Sequence, residues 1–512
     1  MSYGVVWFKR DLRLHDHAAL TAASIDGRLL CLYIIEPDLW RQADASSQHY
    51  HFMLECLQDL SDSLAHRGGK LLVRIGEPVA VLEQLHRAAP FTALYSHEET
   101  GNGFTFERDK AVARWCLRRG VVWREYPQTG VIRRLTNRDG WAARWESFVA
   151  QPCLPAPSLS GIPLPQPSQT WPTAEELGVF PFNPPARQLG GRRRAIAVLR
   201  DFLEQRSAQY RGGISSPLSA PTACSRLSPY LAAGCLSLRE IVQATRRQMA
   251  RLPKENTRQR KGLQAFISRL HWHCHFMQKL ESEPEIEWRN MHRGYDGLRE
   301  NEHNEAQLAA LMAGRTGWPL VDACVAMLNH TGWLNFRMRA MLVSVAAYPL
   351  WLHWRPVGLW LARAFLDYEP GIHWSQLQMQ SGTTGINATR VYNPVKQAMD
   401  HDPQGRFVRR WLPALRQVPD VWLFEPWKMP DELRQRYGLD QAGWPAKPPV
   451  ELESATRAAK QRLHGLRKQP AVRAGKAAVV NRHGSRQAVP AARRGNAATA
   501  FQQQLGLPLA DD

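Results

Sequence analysis

The first 130 residues alternate short apolar runs with helical patterns, and this alternation limits the possible folds most strongly. Apolar runs occur at 4–8, 29–35, 70–75, 93–96 and 121–126, and helical periodicity occurs at 51–65, 79–88 and 106–119. Strands that alternate with helices are typical of a parallel, doubly wound sheet. We therefore predict an α/β domain over residues 1–130. No G-x-G-x-x-G fingerprint follows the first strand, which argues against a dinucleotide site of that kind.

The rest of the chain divides into three segments by composition. Ten prolines between residues 152 and 185 predict an extended connection, and we assign 131–194 to an interdomain linker. Helical periods at 195–209, 236–250, 262–280, 305–313, 321–328, 334–348 and 356–365 predict an all-α domain over 195–445. Residues 446–512 are rich in Ala, Gln, Gly, Lys and Arg. They predict a basic, disordered tail whose removal leaves the fold intact.

Charge and cysteine content narrow the classes of function. The 512 residues carry 66 basic and 46 acidic side chains, and the net charge of +20 favours a polyanion such as nucleic acid or an anionic membrane surface as partner. The longest nearly apolar run, residues 340–352, is shorter than the roughly 20 residues of a membrane-spanning helix. The N-terminus does not resemble a secretory signal. Eight single cysteines without a C-x-x-C pair fit a reducing compartment, so we expect a cytoplasmic protein without membrane contact.

Two groups of residues suit an anionic ligand with a planar ring. Residues 222–231 place hydroxyls, backbone amides and a guanidinium at a helix start, where unpaired N–H groups favour an anion. Residues 331–339 add arginines to an aromatic helix, and residues 367–387 add two carboxylates and a glycine-rich run. Each part alone is commonly a helix cap, a solvated face or a core aromatic.

No metal site is predicted from the sequence. His271 and His275 lie one helical turn apart and suit zinc, but no third ligand follows at a fitting spacing. The chain also lacks the G-x-S-x-G motif of a serine hydrolase.

In this order, the motifs resemble those of the photolyase/cryptochrome superfamily. The similar segments are 5–16, 316–323, 331–333, 392–394 and 407–413. The resemblance implies an N-terminal antenna domain, a helical domain that binds FAD in a folded conformation, and a cavity leading to the isoalloxazine ring. It also implies a lyase that uses blue light to repair pyrimidine dimers in UV-damaged DNA by electron transfer from excited reduced flavin. We expect a monomer.

The resemblance assigns FAD binding to residues of both groups. These are Tyr210, Cys224, Ser225, Arg226, Leu227, Ser228, Arg339, Asp367, Tyr368 and Glu369. Cys224 stands where the family has threonine, and Glu369 replaces an aspartate beside the ring edge. His373 takes the place of the asparagine that faces flavin N5, so we expect it to influence flavin protonation.

The positions that bind the lesion depart from the family pattern. The resemblance assigns substrate contacts to Arg269, Trp272, Asn335 and Arg337. Stacking of an extruded base on Trp272 would contribute roughly 1–3 kcal/mol. Arg269 replaces a glutamate that hydrogen-bonds the dimer, and His273 replaces an arginine. The lesion therefore stays open, as do two further interpretations: a cryptochrome-like blue-light receptor that binds DNA without repair, and a light-independent DNA-binding flavoprotein.

Electron transfer is assigned by the same resemblance. Trp354 aligns with the middle tryptophan of the family's photoreduction chain, whereas Leu377 occupies the position next to the flavin. Trp374 is the candidate for a replacement donor. Trp351 and Trp360 are its alternatives.

The antenna chromophore is less defined. Thr105 stands at the position of a glutamate that helps to bind folate in many relatives, so a folate antenna is not assured. A flavin antenna and the absence of an antenna both stay open. No cysteine follows Cys324, which disfavours the branch of the family that carries an iron–sulfur cluster.

Overall fold

The computed structural model describes residues 3–162, 167–387 and 389–485. Its N-terminal part contains a parallel sheet of β1 (Gly4–Phe8), β2 (Leu29–Ile35), β3 (Leu71–Ile75), β4 (Ala93–His97) and β5 (Val122–Tyr126). The strand order is β3-β2-β1-β4-β5, with Val6 opposite both Cys31 of β2 and Tyr95 of β4. The predicted α/β class is confirmed. The order reverses between β1 and β4, and open α/β sheets bind ligands at such a point.

Helices flank the sheet and follow it. They are α1 (Ala18–Asp26), α2 (Pro37–Trp40), α3 (Ser47–Ala65), α4 (Pro78–Ala88), α5 (Gly103–Arg119) and α6 (Trp141–Ala150). Helix α6 corrects the prediction that 131–194 is extended throughout. Its residues Trp141, Trp145 and Val149 recur every four positions and are all buried, as on an amphipathic helix. The predicted domain boundaries stay predictions.

The second part is helical, as the periodicity predicts. Its helices are α7 (Arg192–Asp201), α8 (Ser207–Gly213), α9 (Ala220–Ala223), α10 (Ser228–Ala232), α11 (Leu238–Arg251), α12 (Thr257–Ser282), α13 (Glu305–Met312), α14 (Pro319–Thr331), α15 (Phe336–Ala347), α16 (Trp354–Ala364), α17 (Pro370–Ser381), α18 (Pro394–His401), α19 (Arg406–Trp411), α20 (Asp420–Leu423) and α21 (Asp431–Arg436). The long helix α12 packs on α8 and α17. A Cβ added at Gly371 of α17 would lie only 2.6 Å from Met277 Cα, so glycine permits this close packing. Among the described residues, no helix is both long and apolar enough to cross a membrane.

Two more helices lie where the sequence predicts a disordered tail. They are α22 (Leu452–Lys468) and α23 (Pro470–His483). Leu463 and Val472 are buried in a small cluster with Tyr348. The prediction of disorder is therefore wrong for residues 452–483, because an alanine- and arginine-rich composition conceals a narrow apolar helix face. The end of the predicted tail, 486–512, lies outside the described residues.

Ion pairs connect the sheet part to the helical part. Arg10, in the loop after β1, makes two hydrogen bonds of 3.0 and 3.3 Å to the carboxylate of Glu369, which precedes α17. Asp16 pairs with Arg239 of α11 at 2.7 Å. The charged loop after β1 thus fixes the position of the helical part.

We expect truncation after Val450 to destabilise the protein. Loss of α22 and α23 removes buried side chains, among them Leu463 and Val472, each contributing about 1.5–3 kcal/mol, and leaves Glu283 without its buried partner His483. Thermal unfolding of this chain should occur several degrees lower. A control chain that ends at Ser485 keeps both helices and should unfold at the temperature of the full chain; equal midpoints for both truncations would contradict the prediction.

Candidate functional site

A cavity of about 310 Å³ opens into the helical part. Its walls bring together most residues assigned to FAD: Tyr210, Cys224, Ser225, Arg226, Ser228, Arg339 and Asp367. The same walls include all four residues assigned to the substrate: Arg269, Trp272, Asn335 and Arg337. One continuous space therefore joins the predicted cofactor and lesion sites.

An ion pair with a hydroxyl partner forms part of this cavity. Arg339 donates to both carboxylate oxygens of Asp367 at 2.9 and 3.0 Å, and Ser228 Oγ donates to Asp367 Oδ2 at 2.6 Å. Burial raises the pKa of Asp367, but the Arg339 charge and these hydrogen bonds outweigh it, so the pKa lies below its usual value. Asp367 is thus an ionised, fixed acceptor in the cavity wall. Arg339 also donates to Leu334 O at 2.8 Å.

The segment between α9 and α10 contributes a cation. Arg226 adopts a left-handed backbone conformation with φ +62°, which non-glycine residues rarely adopt. Its guanidinium lies 3.8 Å from the ring centre of Trp333. Burial lowers the pKa of Arg226 to about 10, so the side chain stays charged at neutral pH. This cation suits a diphosphate.

Two polar atoms in the cavity indicate a ligand with hydrogen-bonding groups. Asn335 Oδ1 and Arg337 Nε are buried and have no hydrogen-bond partner among the described residues. The other side of the Asn335 amide is fixed, because Nδ2 donates to Ile214 O and Ser215 O at 3.0 and 2.8 Å. Unpaired buried polar atoms are costly unless a ligand satisfies them. Together with the guanidinium groups and aromatic faces, they fit FAD and a base beside it.

His373 lies elsewhere than its sequence position suggests. Its Nε2 is 2.8 Å from Gly358 O, and its ring packs on Tyr368 with ring centres 5.1 Å apart. Helix α17 instead presents Ile372 and Gln376 to the cavity. The expectation that His373 faces the flavin is corrected, because alignment gives a position along a helix but a one-residue step rotates the side chain by about 100°.

Three other residues assigned to FAD also lie outside the cavity walls. Tyr368 faces a second cavity and donates its hydroxyl to Asp44 Oδ2 at 2.7 Å. Glu369 turns towards Arg10 of the sheet part. Leu227 packs in the hydrophobic core behind the loop. None of the three belongs to the walls of the cavity of about 310 Å³.

Trp354 and Trp374 are fully buried neighbours. Their ring centres are 5.9 Å apart, and Trp354 Nε1 donates to Asn290 Oδ1 at 2.8 Å. Neither ring lines the cavity. The alternative donor Trp351 lies between the guanidinium groups of Arg299 and Arg462, at 4.4 and 4.8 Å.

Sequence reasoning missed several polar residues of the cavity. Gln376 and Gln380 line it from α17, and Arg390 lines it from the following loop. The four-residue spacing of Ile372, Gln376 and Gln380 places them on one face and would have identified the two amides once α17 was located. For Arg390, no comparable periodicity exists.

A second cavity, of about 170 Å³, lies between the two parts. Phe8 at the end of β1, Trp40 and Tyr368 supply aromatic walls, and Glu36 and Arg108 supply charges. Burial raises the pKa of Glu36 to about 7, although Arg108 opposes the shift. The cavity adjoins the point where strand order reverses. Its aromatic and charged lining suits a planar, polar heterocycle.

Three potential metal ligands come together in the sheet part. Asp11 Oδ2 lies 3.0 Å from His17 Nε2 and 2.8 Å from His97 Nδ1, and all three residues are buried. His17 Nδ1 accepts a hydrogen bond from Leu20 N, so Nε2 carries the ring proton and has no lone pair for a metal. The Asp11 carboxylate is thus held against two imidazole rings, by a hydrogen bond with His97 and a close contact with His17.

The two parts of the chain match two known domain families. A model described as the FAD binding domain of DNA photolyase matches residues 266–465, and one described as DNA photolyase matches residues 4–136. The helical part is therefore an FAD-binding domain, and the protein is a flavoprotein.

Similar proteins include photolyases and cryptochromes. A deoxyribodipyrimidine photo-lyase of Streptomyces griseus is 30% identical over 495 residues, covering 91% of this chain and 100% of that protein. A cryptochrome DASH of Gloeobacter violaceus is 28% identical over 468 residues, covering 85% and 90%. The crystal structure of a Synechocystis cryptochrome superposes with a TM-score of 0.79 at 24% identity, covering 90% and 99%. The chain belongs to the photolyase/cryptochrome superfamily.

We expect Asp367→Ala to weaken FAD retention about tenfold or more, because it leaves Arg339 without its carboxylate in the cavity wall. The ratio of flavin to protein absorbance after gel filtration measures retention. Asp400→Ala, which removes an exposed carboxylate of the same part, is the matched control. Full flavin occupancy in Asp367→Ala would refute the assigned role.

Proposed function

We propose that the protein is a blue-light-driven, FAD-dependent lyase that splits pyrimidine dimers in DNA. The main support is the single cavity in which Trp272 and Arg269 share one space with the residues that suit FAD. An enzyme that acts on bases must extrude them from the duplex into such a pocket. The net charge of +20 supports contacts to DNA phosphates.

The residues of the cavity suit this chemistry. When bound, reduced FAD supplies under light the electron that splits the dimer and receives it back afterwards. Trp272 offers a face for stacking of an extruded base. Arg269 and Arg337 offer N–H donors, which suit the carbonyl oxygens of a pyrimidine dimer or a phosphate. Asn335 Oδ1 offers the complementary acceptor for a base N–H.

An antenna in the second cavity is part of this proposal. The aromatic walls at Trp40 and Tyr368 and the location at the strand ends support a planar chromophore there. Thr105 lines this cavity, so the residue that raises doubt about folate lies where an antenna would bind. A cytoplasmic location and a monomeric state also belong to the proposal.

A blue-light receptor is the second candidate function. Helices α22 and α23 dock on the flavin-binding part through side-chain contacts, among them His483 to Glu283 and Arg462 to Glu302. A C-terminal element that docks in this way suits a signal transmitted by its release. Light-independent DNA binding by a flavoprotein is the third.

The deciding experiment is repair of a defined cyclobutane dimer in single- and double-stranded oligonucleotides by the reduced protein, in blue light and in darkness. We expect thymines to be restored only in light. The absorption spectrum before the assay reports FAD and any second chromophore. Absence of repair by a protein with bound, photoreducible flavin would contradict the proposed activity and favour the receptor, while DNA binding that is indifferent to light would favour the third interpretation.

We also propose that electrons reach the flavin through Trp374 and Trp354. Trp374→Phe and Trp354→Phe should each slow photoreduction by external donors at least tenfold, measured as bleaching of flavin absorbance under blue light. Trp351→Phe is the matched control. A positive hole on Trp351 would cost roughly 4 kcal/mol through the guanidinium of Arg299 at an effective dielectric constant near 20, whereas Arg462 is paired with Glu302. Slow photoreduction in Trp351→Phe together with a normal rate in Trp374→Phe would refute this route.

A further inference from the structure

A small polar chamber lies between the sheet part and the flavin cavity. It has a volume of about 40 Å³, and its walls include Arg10, Glu98, Glu99, Glu369 and His273. A water molecule needs about 10–15 Å³ of such space, so the chamber has room for roughly two or three. Glu98 is 23% exposed and forms the side of the chamber towards solvent.

His273 belongs to the walls of both the chamber and the flavin cavity. On α12, its neighbours Trp272 and Phe276 line the flavin cavity, whereas Met277 lines the chamber. Residues 273 and 277 are one helical turn apart and therefore share a face. The imidazole of His273 thus lies at the boundary between the two spaces.

The pKa values of Glu369 and His273 suit these side chains to the exchange of protons at neutral pH. Burial raises the pKa of Glu369 to about 7, with Glu99 and Asp367 adding to the increase and Arg10 opposing it. Burial, aided by the Arg10 charge, lowers the pKa of His273 to about 4. His273 is therefore neutral, with one N–H and one lone pair, and can accept a proton on one nitrogen while releasing one from the other.

We propose that Glu369 and His273 relay protons between solvent and the flavin bound in the large cavity. A proton leaves the Glu369 carboxyl group, crosses the chamber through water to one nitrogen of His273, and the proton on the other nitrogen passes into the flavin cavity. Glu369 regains a proton from solvent on the side of Glu98. No electron moves in these steps. This inference depends on FAD binding and is independent of whether the protein repairs DNA.

Charged and titratable groups from both parts of the protein surround Glu369 and His273. Arg10 and Glu99 face Glu369 from the sheet part, and Asp367 and the Cys274 thiol act on it from the helical part. Arg10 and the neighbouring Cys274 thiol, whose Sγ is 4.0 Å from Nδ1, face His273. Arg10 is the single cation among these groups, and its hydrogen bonds hold the Glu369 carboxyl group in position. Glu99 and Asp367 raise the pKa of that carboxyl group, so that it can bind a proton near neutral pH.

The test measures proton uptake directly during anaerobic photoreduction of the full-length holoprotein. A pH-indicator dye reports the uptake of protons from solution, and flavin absorbance reports the reduction and the protonation of the flavin. Both signals are recorded in H₂O and in D₂O. Glu369→Gln and His273→Phe should slow proton uptake at least about tenfold relative to reduction. Glu287→Gln is the matched control, because burial likewise raises the pKa of Glu287 to about 7, but Glu287 lines neither space.

Unchanged proton uptake in both FAD-containing variants would overturn the proposal. If a variant loses FAD, the pH dependence of proton uptake by the unmodified protein tests the proposal instead. The rate of proton uptake should fall as pH rises through about 7, where Glu369 loses its proton. A flat profile from about pH 5.5 to about 8.5 would also overturn it. Loss of repair activity with normal proton uptake would concern only the proposed function.

Discussion

The ion pair between Arg10 and Glu369 determines how the two parts of the protein meet. Arg10 also donates through Nε to Ala232 O at 2.9 Å, so one guanidinium joins the end of β1 to both α10 and the start of α17. Removing either side chain leaves hydrogen-bonding groups of the other without a partner at this junction. The pair therefore fixes α17, which carries the cavity wall on one face. Both side chains of the pair also line the chamber of the proposed relay.

Much of the architecture follows from local sequence signals, and the part that does not depends on distant contacts. The strands are predictable because buried parallel strands are continuous apolar runs, as in 29–35. The residues at 224–226 and 228, together with the pair of Arg339 and Asp367, reach the cavity as the resemblance implies, whereas Leu227 does not. The partner of Glu369 is 359 residues away, and no local pattern indicates it. The prediction that His373 faces the flavin is wrong for a different reason, because the packing of a helix determines which of its faces meets a cavity.

Helix α17 lies between the proposed electron route and the proposed proton route. Ile372 and Gln376 on one side contact the cavity, whereas Trp374 turns towards Trp354 of α16. Protons would arrive from the side of α12 and electrons from the side of α16. Both routes involve α17, through Trp374 and through its capping residue Glu369, but they use different side chains, so the rates of electron and proton transfer can be measured separately in the same protein.

The docking of α23 has a consequence for the order of folding. The contact of His483 with Glu283 closes a loop of 200 residues, whereas the strand pairs of the sheet join much nearer neighbours. Closing long loops costs chain entropy before the contact is gained, so contacts of large sequence separation form late. During synthesis, the α/β sheet can be complete while the surface around Tyr295 and Tyr348 is still uncovered. A chain stalled before α22 and α23 therefore presents an apolar surface to the cell's quality-control machinery.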